Sequence, residues 1–175
     1  MEAEQDKTLR ALQVAIQMEV DGKDFYLKAS QESGNELGKK LLESLADEED
    51  VHRQKFEEIY RALKEKKGWP ETDFAQDGGK SLRTLFATAT AAGSGIKAQA
   101  SEHDAVKTAM DMENKSYDYY KVQSQTATYD GERDFYQALM AQEREHYLVL
   151  LDYYEYLKDP TGWFVQKEHP SLDGG

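Results

Sequence analysis

The chain has 175 residues, a formal net charge of −12 and no cysteine. That length allows one domain with a sizeable core, and the charge argues against nucleic acid or an anionic membrane surface as partner. The lack of cysteine excludes disulfides, zinc ribbons, thiol catalysis and a rubredoxin-type iron site within these residues.

Leu9, Leu12, Ile16, Met18 and Phe25 recur at helical spacing and predict a first helix over about residues 5–30. Ser33-Gly34-Asn35 then punctuates, with Gly34 suited to close one helix and Asn35 to cap the next. Leu41, Leu42, Leu45, Val51, Phe56, Ile59 and Leu63 predict a second helix over about residues 36–66, ended by Gly68-Trp69-Pro70. The next thirty or so residues are rich in Gly, Ala and Thr, with room for a short helix after Ser81. Helical periodicity returns from about Asp104 to Thr126, Asp130-Gly131 marks a turn, and a last helix runs from about Glu132 to Lys158. Pro160 and Gly162 stop it, and the tail WFVQKEHPSLDGG reads as irregular. No stretch alternates as a strand does, so the expected fold class is all-α. No apolar run approaches the roughly 20 residues of a membrane span. The opening MEAEQDKTLR lacks the apolar core of a signal peptide, and a cytoplasmic location is expected.

The sequence repeats itself at an offset of 94 residues, the step from Glu19 to Glu113. ALQVAIQMEVDGKDFYLKAS from Ala11 aligns with AVKTAMDMENKSYDYYKVQS from Ala105. The same offset carries Tyr26 onto Tyr120, Leu45 onto Leu139, Glu49 onto Glu143, His52 onto His146 and Tyr60 onto Tyr154. Each half is therefore a helical hairpin with a Glu on its first helix and Glu-x-x-His on its second. Glu19 and Glu49 lie equally far from Gly34, and Glu113 and Glu143 equally far from Thr128. In antiparallel hairpins each pair is level, roughly 22 Å from its turn at 1.5 Å per residue. Packing the hairpins face to face brings four carboxylates and two imidazoles to one level of the core.

Carboxylates so crowded would repel or take up protons, and two divalent ions would cancel their charge. A lone Glu-x-x-His in so acidic a chain is weak evidence. Two such motifs, two further glutamates and matched heights in one register make a specific signal for a dinuclear carboxylate bundle. The expected metal ligands are Glu19, Glu49, His52, Glu113, Glu143 and His146. Oxygen ligands with imidazole suit iron or manganese, and zinc could occupy the site after purification. Tyr26 and Tyr120 read equally as core tyrosines or as donors to a ligand carboxylate. Glu48 and Gln142 read either as acceptors for the free N–H of a metal-bound histidine across the bundle or as polar flank. Gly22 and Ser116, one turn beyond Glu19 and Glu113, leave room for a ligand or for close packing. Met18 and Met112 are expected in the core, and His103 and His169 at the surface.

These residues resemble the ferritin-like di-iron superfamily, nearest to rubrerythrin, over about residues 8–158. AIQMEVDGKDFY and ADEEDVHRQKFEEIY carry the likeness beside the six candidate ligands. The resemblance implies a ferritin-like four-helix bundle over residues 1–158, two antiparallel hairpins joined by a long crossover at about 67–103, followed by an irregular tail over 159–175. It implies two iron ions and reaction with hydrogen peroxide or dioxygen, with ferroxidase or iron-storage activity and oxidation of an organic substrate as alternatives. Two departures stand out. Rubrerythrins typically carry a rubredoxin domain with four cysteines, so an external electron donor such as a rubredoxin-like protein is expected. They also carry an extra glutamate one turn before the third bundle helix's ligand, where this chain has Met110. A homodimer is the expected assembly.

Overall fold

The computed structural model describes residues 2–72, 80–91 and 100–163. Five helices follow in order: α1 (Glu2–Glu32), α2 (Glu36–Lys64), α3 (Lys80–Ala91), α4 (Ala100–Gln125) and α5 (Asp130–Lys158). The described residues contain no strand. The helices α1 and α2 form one antiparallel hairpin and α4 and α5 the second, with α1 against α4 between them and α3 lying on α2 and α5.

Local chemistry sets the helix ends. Asn35 caps α2, its side-chain oxygen accepting from Gly38 N at 2.7 Å. The C-terminus of α2 closes before Gly68: Lys66 adopts φ 60°, its N–H donates to the Leu63 carbonyl, and that of Lys67 donates to Ala62. This is the Schellman pattern with a lysine in the left-handed position usually given to glycine. Lys66→Gly is expected to stabilise the chain by about 0.5–1 kcal/mol, read from urea denaturation midpoints; a loss of stability would contradict the assignment.

The start of α5 corrects the sequence reading of Asp130-Gly131 as a turn. Those residues are already helical, because the Glu132 carboxylate reaches back to accept from Thr128 N (2.8 Å) and Tyr129 N (3.3 Å). Gly131 makes room for Trp69, which packs over Tyr129 and Phe135; a Cβ there would meet Trp69 Cδ1 at 2.7 Å. The helix α4 begins at Ala100, earlier than periodicity alone indicated, and the crossover holds a formed helix, α3. Residues 160–163, read from sequence within an irregular tail, are helical, and Trp163 packs on Phe86 and Tyr156. His169 lies outside the described residues. Val51, counted with the apolar face of α2, is 50% exposed.

Two apolar clusters fill the bundle. One holds Leu41, Leu42, Leu45, Val106, Leu150 and Tyr153 beneath Leu82 and Phe86 of α3. The other holds Leu12, Phe56, Ile59, Phe135, Tyr136 and Leu139. Along every bundle helix the candidate ligands fall in the interval between the two: Glu19 between Ala15 and Tyr26, Glu49 and His52 between Ala46 and Phe56, Glu113 between Ala109 and Tyr120, Glu143 and His146 between Leu139 and Val149. A polar layer is thus sealed between two hydrophobic ones.

Two further carboxylates are buried at the hairpin ends, Glu102 and Glu132. Glu102 ties down the first turn: its Oε1 accepts from Ser33 Oγ (2.6 Å), Asn35 Nδ2 (3.0 Å) and Tyr153 OH (2.5 Å). Glu132 does the same at the second turn, with the Thr8 hydroxyl against it. In the repeat register Glu102 matches Thr8 and Glu132 matches Gly38. The same task is therefore performed from opposite sides of the bundle in the two halves.

Candidate metal centre

The six candidate ligands come from four helices and meet in one place, each no more than 5% exposed. They form two overlapping groups, Glu19–Glu49–His52–Glu143 and Glu49–Glu113–Glu143–His146, each offering ligand atoms within 4.8 Å of one another. Glu49 and Glu143 belong to both groups, so a carboxylate from each hairpin stands where it can bridge two ions. The imidazoles of His52 and His146 lie nearly parallel, 5.7 Å apart.

Each histidine is oriented from the opposite hairpin. His52 Nε2 lies 2.6 Å from Gln142 Oε1, and His146 Nε2 lies 2.7 Å from Glu48 Oε2. Donation by Nε2–H to these oxygens leaves both Nδ1 atoms to face the carboxylates with a lone pair. The Nδ1 of His52 is 3.3 Å from Glu19 Oε2 and 3.5 Å from Glu143 Oε1; that of His146 is 3.2 Å from Glu49 Oε1. The tyrosines also cross between halves: Tyr26 OH donates to the Glu113 carboxylate, and Tyr120 OH to that of Glu19. The two flanks differ in charge, since Gln142 is neutral and Glu48 is a carboxylate.

The residues fit a pair of cations. Glu49 Oε1, both carboxylate oxygens of Glu143 and His146 Nδ1 are buried without an aligned hydrogen-bond partner, a costly state that metal coordination removes. Electrostatics agree. Burial, then the charge of Glu19, pushes the Glu49 carboxyl well up; burial, then Glu113, does the same to Glu143. Burial opposes charging of His52, but Glu19 and Glu49 outweigh it and push the imidazole up to about 9. His146 is likewise raised, burial being overcome mainly by Glu113. Burial also pushes on Glu113, yet the His146 charge and hydrogen bonding, that of Tyr26 included, hold it down at about 2. Without metal, the cluster balances its charge by taking up protons.

Neighbouring residues complete the account. A Cβ on Gly22 would stand 2.8 Å from Glu49 Oε2, so the glycine accommodates that carboxylate. Ser116, its counterpart, is half-buried. Met18 and Met112 are half-buried and lie outside the two apolar clusters; each precedes its glutamate by one residue and so points about 100° away around the helix. His103 is not a free surface residue: it is half-buried, edge-on to Tyr154 at 5.6 Å. Met110 packs partly buried against the cluster beneath α3 and brings no carboxylate.

The model of the rubrerythrin family matches residues 10–154. No curated protein and no solved structure matches the chain.

Proposed function

From the premise that the chain belongs to the rubrerythrin family, we propose that its buried cluster holds two iron ions and that the protein reduces hydrogen peroxide, in preference to dioxygen. The observation that carries this reading is the pair of overlapping ligand groups sharing Glu49 and Glu143. Glu19 and His52 would complete one ion, Glu113 and His146 the other. A bound di-iron pair supplies two electrons for cleaving an O–O bond, and reduction of peroxide to two waters also consumes two protons.

The chain's own residues set the conditions. Glu48 and Gln142 fix the tautomer of the histidines by accepting their Nε2–H. Tyr26 and Tyr120 stay protonated across the neutral range, because burial first and then the neighbouring carboxylates raise their hydroxyls. They therefore act as hydrogen-bond donors that hold Glu113 and Glu19 in place. The two apolar layers close the cluster at both ends along the bundle axis. None of the 175 residues is a cysteine, so electrons must reach the site from outside these residues, and a rubredoxin-like donor suits that need. A homodimer remains the proposed assembly, and cytoplasm the proposed location; no helix among the described residues is long and apolar enough to cross a membrane.

Anaerobic loading with Fe(II), followed by separate peroxide and dioxygen pulses under optical and Mössbauer observation, tests the reading. Two ions per chain and faster reoxidation by peroxide are expected. Saturation at one ion would remove the dinuclear site, and much faster reoxidation by dioxygen would reverse the choice of oxidant.

Met110 yields a separate expectation. Its thioether is a poor ligand for a hard cation, and its repeat counterpart Ile16 is apolar too. Both metals should therefore keep their histidine whether oxidised or reduced. Crystal structures in the two states check this; a metal that leaves its histidine, or moves more than about 1 Å toward Asp111, would contradict it.

A further inference from the structure

The two faces of the site are built differently. A cleft of about 430 Å³ opens between α4 and α5 with Glu113 and Glu143 as its floor. Asn114, Tyr117 and Asp118 form one wall, and Arg144 and Tyr147 stand on the other. Both oxygens of the floor residue Glu143 are buried without an aligned partner.

The same positions on the α1–α2 face, one repeat earlier, are Val20, Lys23, Asp24, Asp50 and Arg53. There an ion cluster bridges the two helices. Lys23 Nζ and Arg53 Nε each lie 2.9 Å from Asp50 Oδ1, and Arg53 Nη1 continues to Glu57 Oε1 at 2.7 Å. Gln54 Nε2 adds a hydrogen bond to Asp50 Oδ2 at 2.8 Å. On the open face Tyr117 replaces the lysine and Arg144 the aspartate, so that bridge cannot form. Arg144 instead turns along its own helix, over the Tyr147 ring at 5.0 Å.

We propose that the α4–α5 cleft is the port and binding site through which a small uncharged oxidant of the peroxide class reaches the metal pair, the Lys23–Asp50–Arg53 cluster closing the opposite face. The inference rests on reading the buried cluster as a dinuclear metal site. The lining explains the ligand class. Amide, phenol and carboxylate groups offer hydrogen bonds to a molecule that both donates and accepts, whereas a pocket for an organic substrate is lined mainly by apolar side chains.

The test uses the full-length chain, loaded anaerobically with Fe(II), and nitric oxide as a small uncharged probe. Metal stoichiometry is measured first: fewer than two ions in the parent protein would remove the metal-site reading itself, independently of the route. With two ions bound, the rate of the optical change on mixing with nitric oxide is compared among variants. Asn114→Trp, which fills the cleft, should slow it at least tenfold, while Val20→Trp, its counterpart on the closed face, should leave it within about twofold. Adding Asp50→Ala to Asn114→Trp should restore part of the rate by opening the other face. Equal effects of the two tryptophans, or none from Asn114→Trp with its two ions retained, would overturn the port. Should Asn114→Trp fail to fold or load, Arg144→Trp at the mouth replaces it under the same criteria.

Discussion

Stripping metal with a chelator at pH 8 is expected to lower the melting temperature by roughly 8–16 °C. Binding to the native state alone stabilises by about 4 kcal/mol when free ion exceeds its dissociation constant a thousandfold, and each kcal/mol shifts a domain of this size by about 2–4 °C. The gap should shrink toward pH 5. In the metal-free protein Glu49 and Glu143 have raised pKa values, so they favour folding fully below the ordinary carboxylate range, and this contribution falls away as pH rises. His52, pushed up to about 9, and His146, also raised, favour folding below their unfolded value near 6.5 and lose that contribution as pH climbs through the folded one. Glu113, held down at about 2, has the opposite sign, but its window lies below pH 5. Metal-free protein should therefore melt higher at pH 5 than at pH 8, while protons compete with metal for the same atoms. Calorimetry of chelated and loaded protein across that range tests it; equal melting at pH 8 would tell against a core site.

Gly38→Ala should cost about 2–4 kcal/mol, despite the roughly 1 kcal/mol that alanine gains over glycine inside a helix. The added Cβ would overlap the Tyr153 hydroxyl and Ser33 Oγ and stand 2.7 Å from Glu102 Oε1. Those groups hydrogen-bond one another around a buried carboxylate, so displacing them strands polar atoms as well as straining the packing. The other half of the chain suggests the rescue. Where Gly38 faces Glu102, the matching places hold Glu132 and Thr8. Gly38→Glu combined with Glu102→Thr should be more stable than either single change, by a coupling of about 1–3 kcal/mol. Denaturation of the four proteins measures that coupling, and additive losses would refute it.

Glu102 and Glu132 also mark where sequence reading stopped. The six candidate ligands were legible because each has its own residue type 94 positions away and its own height above a turn. Glu102 and Glu132 have no like partner in that register, since the two halves swap which helix supplies the acid, so the repeat does not single them out among the glutamates of an acidic chain. Helix existence followed from the period of Leu, Ile and Phe, but the ends did not. The start of α5 depends on a carboxylate reaching back to Tyr129 N, and the end of α2 on Lys66 entering a left-handed conformation. The cleft between α4 and α5 was illegible for a related reason: it depends on which way Arg144 turns, and a charged residue on a helix flank reveals no direction.

Four polar links into the cluster run from one hairpin to the other: Tyr26 to Glu113, Tyr120 to Glu19, His52 to Gln142, His146 to Glu48. A lone hairpin has no such site, but two identical copies facing each other would. A symmetric pair of that kind is bound by its two-fold axis: both faces open or both closed, both histidines with the same acceptor. Joining the copies in one chain lifts the constraint. Each half can then change by itself, and the neutral Gln142 opposite the acidic Glu48, with the bridged face opposite the open one, are differences closed to a symmetric pair of identical copies.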